Sequence, residues 1–98
     1  MKDFDFKQLD DIIHSRIRLA IISVLISVEE AEFTFLKNRV KATDGNLSTH
    51  LKKLEEVKYI AVKKEFIDRK PATSYRLTES GKEAFSAYVE RLENLIKK

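Results

Sequence analysis

The spacing of apolar residues changes abruptly in the second half of the chain, and this change restricts the fold more than any other feature. Residues 47–54 place leucines at helical intervals, which predicts a helix with one apolar face. Residues 60–67 are instead rich in β-branched and aromatic side chains, and residues 73–77 alternate as a strand does. The intervening residues 68–71, Asp-Arg-Lys-Pro, favour a turn. A helix followed by a β-hairpin is therefore expected here.

Helical spacing and capping residues predict helices on both sides of the hairpin. A first helix would end near His14, with an apolar face formed by Phe6, Leu9, Ile12 and Ile13. Later helices would begin after residues that commonly cap helix N-termini, namely Ser15, Thr34, Thr43 and Thr78. The second helix would span residues 16–27, and the last would run almost to the C-terminus. This order predicts a mainly α fold with a β-hairpin wing, a winged helix-turn-helix.

A length of 98 residues allows one domain. Within it we expect a helix-turn-helix over residues 34–58, a wing over 60–77 and a C-terminal helix over 79–97. The chain contains no Cys, which excludes disulfides and thiolate zinc sites. Its most apolar stretch, residues 17–28, is shorter than the ~20 residues that span a bilayer, and its first residues lack a signal-peptide core. These features predict a cytoplasmic protein.

Positive charge is concentrated in the middle of the chain. The formal net charge is +3, but residues 34–76 carry 11 Lys/Arg against 5 Asp/Glu, a local net charge of +6. Residues 1–33 carry 4 against 7, and residues 77–98 carry 4 against 4. A local basic excess is typical of a face that binds a polyanion. A solvated surface without a partner would explain the charge alone equally well.

The helix that opens at Thr43 has the two faces that a DNA-recognition helix requires. Its leucines would hold it on the domain, while short polar side chains near its N-terminus would face outwards. We expect base contacts from Thr43, Asn46, Ser48 and Thr49, because short side chains let the backbone approach the base edges. We expect phosphate contacts from Lys52 and Lys53. The alternative for each residue is an ordinary helix cap or a solvent-exposed lysine.

Two motifs resemble known prokaryotic regulators. The run Asn-Leu-Ser-Thr-His-Leu-Lys-Lys-Leu-Glu-Glu at 46–56 is similar to the recognition helix of the ArsR and MarR families. Residues 73–81, at the end of the predicted wing, are similar to the corresponding part of the wing in the same families. The resemblance covers nearly the whole chain and implies operator binding by a dimer, with the third helix in the major groove. Lys58 departs from the pattern, because these families usually place Gly there and a left-handed residue would be strained. The metal-sensing branch of the ArsR family uses cysteines on the recognition helix. This chain has no cysteine, so the resemblance does not imply metal sensing.

The predicted wing is basic. Arg69 and Lys70 lie at its tip, and Lys63, Lys64 and Arg76 lie along its strands. A basic two-stranded ribbon can enter the minor groove or bind phosphates, so we expect DNA contacts from Lys63, Arg69 and Lys70. The alternative is a strand edge that carries charge to prevent pairing with other strands.

The two ends of the chain carry more apolar surface than one small domain needs, which favours a homodimer. Two-fold pairing would place the recognition helices about one DNA turn apart, ~34 Å. The alternative is that both terminal helices pack on their own core. The candidate interface residues are Phe6, Leu9, Ile13, Phe85, Tyr88, Val89, Leu92, Leu95 and Ile96.

No catalytic, cofactor or metal site is expected. The chain has only two histidines, His14 and His50, and no carboxylate pair recurs with them at metal-ligand spacing. The sequence therefore predicts a sequence-specific regulator of transcription that binds double-stranded DNA, most simply a homodimeric repressor. Two alternatives remain open: a winged-helix protein-interaction module without DNA binding, and a sensor that responds to a small-molecule effector, which is allowed but not indicated.

Overall fold

The computed structural model describes residues 5–97 and the side chains within that range except that of Phe6. These residues form a 3₁₀ turn, four α-helices and three strands. In chain order they are the turn Phe6–Gln8, α1 (Arg16–Leu25), β1 (Ala31–Glu32), α2 (Phe33–Val40), α3 (Asp44–Glu56), β2 (Ile60–Ile67), β3 (Lys70–Leu77) and α4 (Glu79–Ile96). The predicted winged-helix fold, mainly α with a β-hairpin wing, is confirmed.

The strands form one antiparallel sheet in the order β1-β3-β2. The hairpin register runs from Ile60 opposite Leu77 to Ile67 opposite Lys70. The strand β1, which the sequence did not predict, pairs only Ala31 and Glu32 with β3. A two-residue strand has no detectable periodicity, and its pairing depends on a strand more than 40 residues later in the chain.

The apolar faces of the helices meet the base of the sheet in one core. Ile21 and Ile22 of α1, Leu36 of α2 and Leu47 and Leu54 of α3 have no exposed surface. The apolar spacing that predicted α3 therefore corresponds to its buried face. Further core side chains are Ile13, Leu25, Ala31, Leu51, Ile60, Leu77 and Tyr88.

The prediction of an N-terminal helix that ends near His14 is wrong. Between residues 5 and 14, which the structure describes, helical structure is limited to the turn Phe6–Gln8. The residues after this turn are held by Asp10. Its Oδ1 accepts hydrogen bonds from the backbone N–H groups of Ile12 and Ile13, at 2.8 and 3.1 Å. Aspartate side chains that bond to nearby backbone groups compete with helix formation. The terminal apolar residues thus reach the core from an irregular segment.

Three of the expected caps hold helix N-termini, and one does not. The hydroxyl oxygens of Ser15, Thr43 and Thr78 accept hydrogen bonds from backbone N–H groups in the first turns of α1, α3 and α4. The helix α2 begins at Phe33 after Glu32, whose side chain makes no capping bond, so the prediction that Thr34 caps α2 is wrong. Because β1 runs directly into α2, the helix start follows the end of the strand.

The start of α4 is fastened to the segment that follows α3. The Thr78 hydroxyl donates to the Lys58 carbonyl oxygen at 2.7 Å, and the Thr78 N–H donates to the Tyr59 carbonyl oxygen at 3.0 Å. A Cβ atom placed on Gly81 would lie 2.1 Å from that Tyr59 oxygen. Gly81 therefore permits a close approach that no other residue allows, and this approach fixes α4 relative to α3 and the wing.

Candidate nucleic-acid interface

The helix α3 presents an apolar face to the core and a polar face to solvent. Leu47, Leu51 and Leu54 are at most 2% exposed. The side chains on the other face are all exposed: Thr43, Asn46, Ser48, Thr49, Lys52 and Lys53. The predicted base- and phosphate-contacting residues of this helix are thus brought together on one free surface of the chain.

The N-terminus of α3 is held by a tight connection from α2. Lys41 takes a left-handed conformation, with φ 61° and ψ 40°, and its N–H donates to the Lys37 carbonyl oxygen at 2.8 Å. The Thr43 hydroxyl then accepts from the Asn46 N–H at 3.1 Å. Lys37 and Asp44 form an exposed ion pair at 2.7 Å, a kind of pair that contributes little to stability. Thr43 therefore has a structural role besides any contact with a base.

Arg18 of α1 supports the middle of α3. A guanidinium nitrogen of Arg18 lies 2.9 Å from Nδ1 of His50, and the Nε–H of Arg18 donates to the Ile12 carbonyl oxygen. Burial lowers the pKa of His50, and the charge of Arg18 lowers it further. His50 therefore favours the neutral state, in which Nδ1 can accept from Arg18. This contact ties α3 to α1 and to the N-terminal segment.

The C-terminus of α3 ends in a Schellman motif built on Lys58. The Tyr59 N–H donates to the Leu54 carbonyl oxygen at 3.0 Å, and the Lys58 N–H donates to the Glu55 carbonyl oxygen at 2.9 Å. Lys58 has a φ of 65°, where glycine would be less strained. The left-handed conformation considered for this position is therefore adopted without glycine, and the hydrogen bonds offset its cost.

The wing turns through a two-residue loop. Asp68 and Arg69 lie between the paired residues Ile67 and Lys70 and have φ values of 52° and 67°. Positive φ at both loop residues is the signature of a type I′ turn, whose twist matches that of a hairpin. Arg69 and Lys70 are exposed at the tip, where their charges can approach a polyanion.

The two faces of the wing differ in chemistry. We define the inner face as the side that continues into the core, formed by Ile60, Val62, Lys64, Phe66, Pro71, Thr73, Tyr75 and Leu77. The outer face carries the alternate residues, including Lys63 and Glu65. The Lys63 ammonium lies 3.7 Å from a Glu30 carboxylate oxygen and 3.9 Å from a Glu65 carboxylate oxygen. The charge of Lys63 is thus shared with acids, whereas Lys64 on the inner face makes no ion pair among the described residues.

Two exposed residues beside this surface were not among the predicted contacts. Lys41 follows α2 and stands next to the N-terminus of α3. Phe66 lies on the inner face of the wing. Their positions next to the helix-turn-helix connection and the basic turn were visible in the sequence. The exposure of Lys41 and Phe66 could not be predicted from the sequence, because it depends on how the turn and the hairpin are oriented relative to the rest of the domain.

Eight of the nine candidate dimer residues have described side chains, and these eight divide into three groups. Ile13 and Tyr88 are 0% and 3% exposed in the single chain, so their assignment to an accessible interface is corrected to the core. Leu9, Phe85 and Leu92 are partly buried against that core. Val89, Leu95 and Ile96 are exposed on α4, and Phe6 has a side chain outside the described set.

Tyr88 is held in the core by a polar contact. Its hydroxyl lies 2.8 Å from Nδ1 of His14, and the two rings are tilted with centroids 5.9 Å apart. The N-terminal segment is therefore joined to α4 within one chain. This contact explains why an aromatic residue on the predicted apolar stripe of α4 faces inwards.

Residues 5–97 were also searched for metal-binding groups and for membrane-spanning helices. They contain no group of three or more His, Cys, Asp or Glu side chains positioned to hold a metal ion. None of their helices is both long and apolar enough to cross a membrane.

Comparisons with known proteins agree with this architecture. A family model for a winged helix DNA-binding domain matches residues 17–96. The uncharacterized protein MJ0432 of Methanocaldococcus jannaschii is 38% identical over 86 residues, which cover 88% of this chain and 94% of that protein.

Solved structures share the fold. A transcriptional regulator homologue from Pyrococcus horikoshii OT3 has 28% identity and a TM-score of 0.77, over 93% of this chain and 95% of that one. A Bacillus cereus ATCC 10987 protein described as a MarR-like transcription regulator has 20% identity and a TM-score of 0.71, over 93% of this chain and 68% of that one. The expected resemblance to winged-helix transcriptional regulators is confirmed. The chain belongs to the winged helix DNA-binding domain family.

Proposed function

We propose that this protein is a sequence-specific regulator of transcription that binds double-stranded DNA as a homodimer, most simply as a repressor. The observation that carries the proposal is the free polar face of α3 on a winged-helix frame. In this family of architectures the second helix of the helix-turn-helix enters the major groove. Such a role requires no catalytic step, and it places the protein in the cytoplasm with its DNA.

The proposed base contacts come from the N-terminal half of α3. Asn46, Ser48 and Thr49 are exposed, and an asparagine amide can bond bidentately to adenine. The hydroxyl oxygen of Thr43 already accepts the Asn46 N–H, so Thr43 contributes its hydroxyl hydrogen and its methyl group. Base readout therefore depends most strongly on Asn46.

The proposed phosphate contacts surround this helix. Lys52 and Lys53 follow the polar residues along α3, and Arg69 and Lys70 project from the wing. Lysine and arginine contacts to phosphate fix the register of a protein on the duplex without reading its sequence. Lys63 is left out, since its ammonium is paired with Glu30 and Glu65, and Lys64 and Lys41 take its place.

The proposed dimer uses the exposed apolar side chains of α4. Val89, Leu95 and Ile96 are 37%, 39% and 72% exposed, and they continue the partly buried stripe of Phe85 and Leu92. Burial of such side chains against a second copy is favourable. A two-fold axis beside α4 would present two copies of α3 to successive major grooves. Repression then needs only occupancy of a promoter by this dimer.

A selection experiment tests the proposal. The protein is incubated with a pool of random duplexes of about 30 base pairs, long enough for two half-sites one helical turn apart, and bound duplexes are recovered and sequenced. We expect a two-fold symmetric motif, and Asn46→Ala should relax the preference at one base per half-site by about tenfold. Lys82→Ala on α4 serves as a charge control that leaves the motif unchanged.

The opposite results would point to another role. If no duplex is enriched at moderate salt and a partner protein co-purifies, the chain is a protein-interaction module. If a motif is recovered and Asn46→Ala leaves every base preference intact, α3 is not the reading element.

A further inference from the structure

Phe66 is the most exposed large apolar side chain in the described part of the chain, at 78%. Scattered apolar residues on a surface need no explanation. Phe66, however, lies one residue pair from the tip of a protruding hairpin, between the basic residues Lys64 and Arg69. A hairpin tip offers no core to cover a phenyl ring, so any partner that buries this ring lies outside the single chain.

Phe66 and Pro71 form one apolar ridge. They are opposite each other in the hairpin, next to the pair Ile67 and Lys70 that closes the loop. Pairs beside a two-residue loop alternate between hydrogen-bonded and non-hydrogen-bonded, which makes Phe66 and Pro71 a non-hydrogen-bonded pair with closely approaching side chains. The outward edge of β3 at Pro71 is also free of β1, which pairs only with Ser74 and Tyr75. The missing N–H of Pro71 therefore costs no sheet hydrogen bond, and its ring stiffens the ridge.

The ridge lies on the side of the wing that faces the recognition helix. Tyr75 on the same inner face is packed against the core. The pKa of Tyr75 is raised by burial and then by the charge of Glu55 on α3. Farther out, the inner face carries Lys64, while the acids Glu30 and Glu65 lie around Lys63 on the outer side. A duplex that contacts α3 would meet the ridge and Lys64 rather than the acidic side.

We propose that Phe66, backed by Pro71, is a DNA-contacting wedge that enters the minor groove beside the major-groove site of α3. This inference rests on the proposed function. Apolar side chains that enter the minor groove insert between base steps, partly unstack them and bend the duplex. Lys64 lies on the same face as the ridge, and its charge, with those of Arg69 and Lys70 at the wing tip, balances the phosphate charge on the groove walls. The wing thereby adds selectivity for deformable steps at positions that α3 does not reach.

The neighbouring Ile67 provides a matched control. It is 51% exposed on the same strand, but it points to the outer face. The probe is the duplex that the wild-type protein selects from the random pool, labelled at its ends with a fluorescence donor and acceptor. We expect Phe66→Ala to weaken binding about tenfold and to remove the bend, while Ile67→Ala stays within about twofold. The salt slope should be the same in both variants, because neither removes a phosphate contact.

Each outcome decides between the wedge and another role. Phe66→Leu keeps an apolar wedge and should retain most of the affinity and the bend. If the wild-type protein selects no duplex, the proposed function fails first. If it does, and Phe66→Ala and Ile67→Ala behave alike, the wedge is rejected. The wedge is also rejected if Phe66→Ala changes the sedimentation of the free protein and leaves the bend intact, since Phe66 would then contact a second copy.

Discussion

The hydroxyl group of Tyr59 donates a hydrogen bond of 2.6 Å to Oδ2 of Asp10, joining the segment after α3 to the N-terminal segment. Asp10 also holds the backbone of Ile12 and Ile13 through its other carboxylate oxygen. One aspartate therefore orders the N-terminal segment and connects it to the end of α3. This link lies on the side of the domain where α4 also begins.

The Tyr59–Asp10 contact predicts a loss of stability in alkali. Burial, then the hydrogen bond to Asp10 and then the charge of Asp10 together raise the pKa of Tyr59 from 10.0 to about 12. The unfolded chain loses the phenol proton first, so the free energy of unfolding should fall as the pH rises from about 10 to about 12. Below pH 10 the contribution is fully present.

Tyr59→Phe tests this prediction. We expect the variant to be less stable by about 1 kcal/mol at neutral pH, because the hydrogen bond is lost, and to lose less stability in alkali than the wild type. Urea unfolding at a series of pH values measures both. Tyr75 titrates in both proteins and cancels in the difference. Parallel curves for the two proteins above pH 10 would contradict the assignment.

The Arg18–His50 contact predicts a loss of stability in acid. Burial and then Arg18 lower the pKa of His50 below 6.5, so the unfolded chain takes up a proton first as the pH falls. Stability should therefore decrease from about pH 6.5 downwards. His50→Gln keeps an acceptor for Arg18 without a proton to gain. We expect it to show a shallower loss between about pH 7 and 5 in urea unfolding, and equal losses would contradict the prediction.

Two lysines in the left-handed conformation allow the effect of a substitution on stability to be separated from its effect on DNA binding. Lys41 and Lys58 have φ values of 61° and 65°. Lys58→Gly and Lys41→Gly should each stabilise the fold by about 0.5 kcal/mol, since the relief of left-handed strain exceeds the added entropy of the unfolded chain. Only Lys41 lies beside the N-terminus of α3. Lys41→Gly should therefore reduce the salt slope of DNA binding by about 0.9.

The control for this prediction is Lys58→Gly, at the opposite end of α3. We expect its affinity and salt slope to match those of the wild type. Equal losses of slope in both variants would show that the effect is not a contact of Lys41. Thermal unfolding of each variant measures the stability change independently of DNA.

The tip of the wing should contribute to the salt dependence. Changing Arg69 and Lys70 together to Ala removes two exposed positive charges. The binding constant should fall, and the salt slope should flatten by about one unit for each lost phosphate contact. Titrations of the selected duplex at several salt concentrations measure the slope, with Lys82→Ala as the control. An unchanged slope would remove the wing tip from the interface.

The exposed stripe of α4 should govern association. Leu95→Glu places a charge on a side chain that is 39% exposed, so the monomer should still fold while the dimer dissociates. Loss of the dimer should weaken operator binding, because two half-sites are no longer bound as one unit. Sedimentation of the free protein measures the change. Ile26→Glu, at a 44% exposed position outside α4, should leave association intact.

Much of the fold could be predicted from local signals in the chain. The spacing of Leu47, Leu51 and Leu54 predicted the buried face of α3, and its polar residues are exposed as expected. Ser15, Thr43 and Thr78 predicted three helix starts, because a cap acts within one turn of its own position. The β-branched and aromatic residues before the turn at 68–71 and the alternation after it predicted the hairpin.

Other features were decided only by contacts between distant residues. The short strand β1 exists through its pairing with β3, and the hydrogen bond from Tyr59 to Asp10 joins the N-terminal segment, with its buried Ile13, to the rest of the domain. The neighbouring residues Lys63 and Lys64 point to opposite faces of the wing. Lys63 forms an ion pair with Glu30, which is more than 30 residues away in the sequence. Short segments have nearly equal free energies as helix, strand or coil, so their partners in the folded domain decide among them.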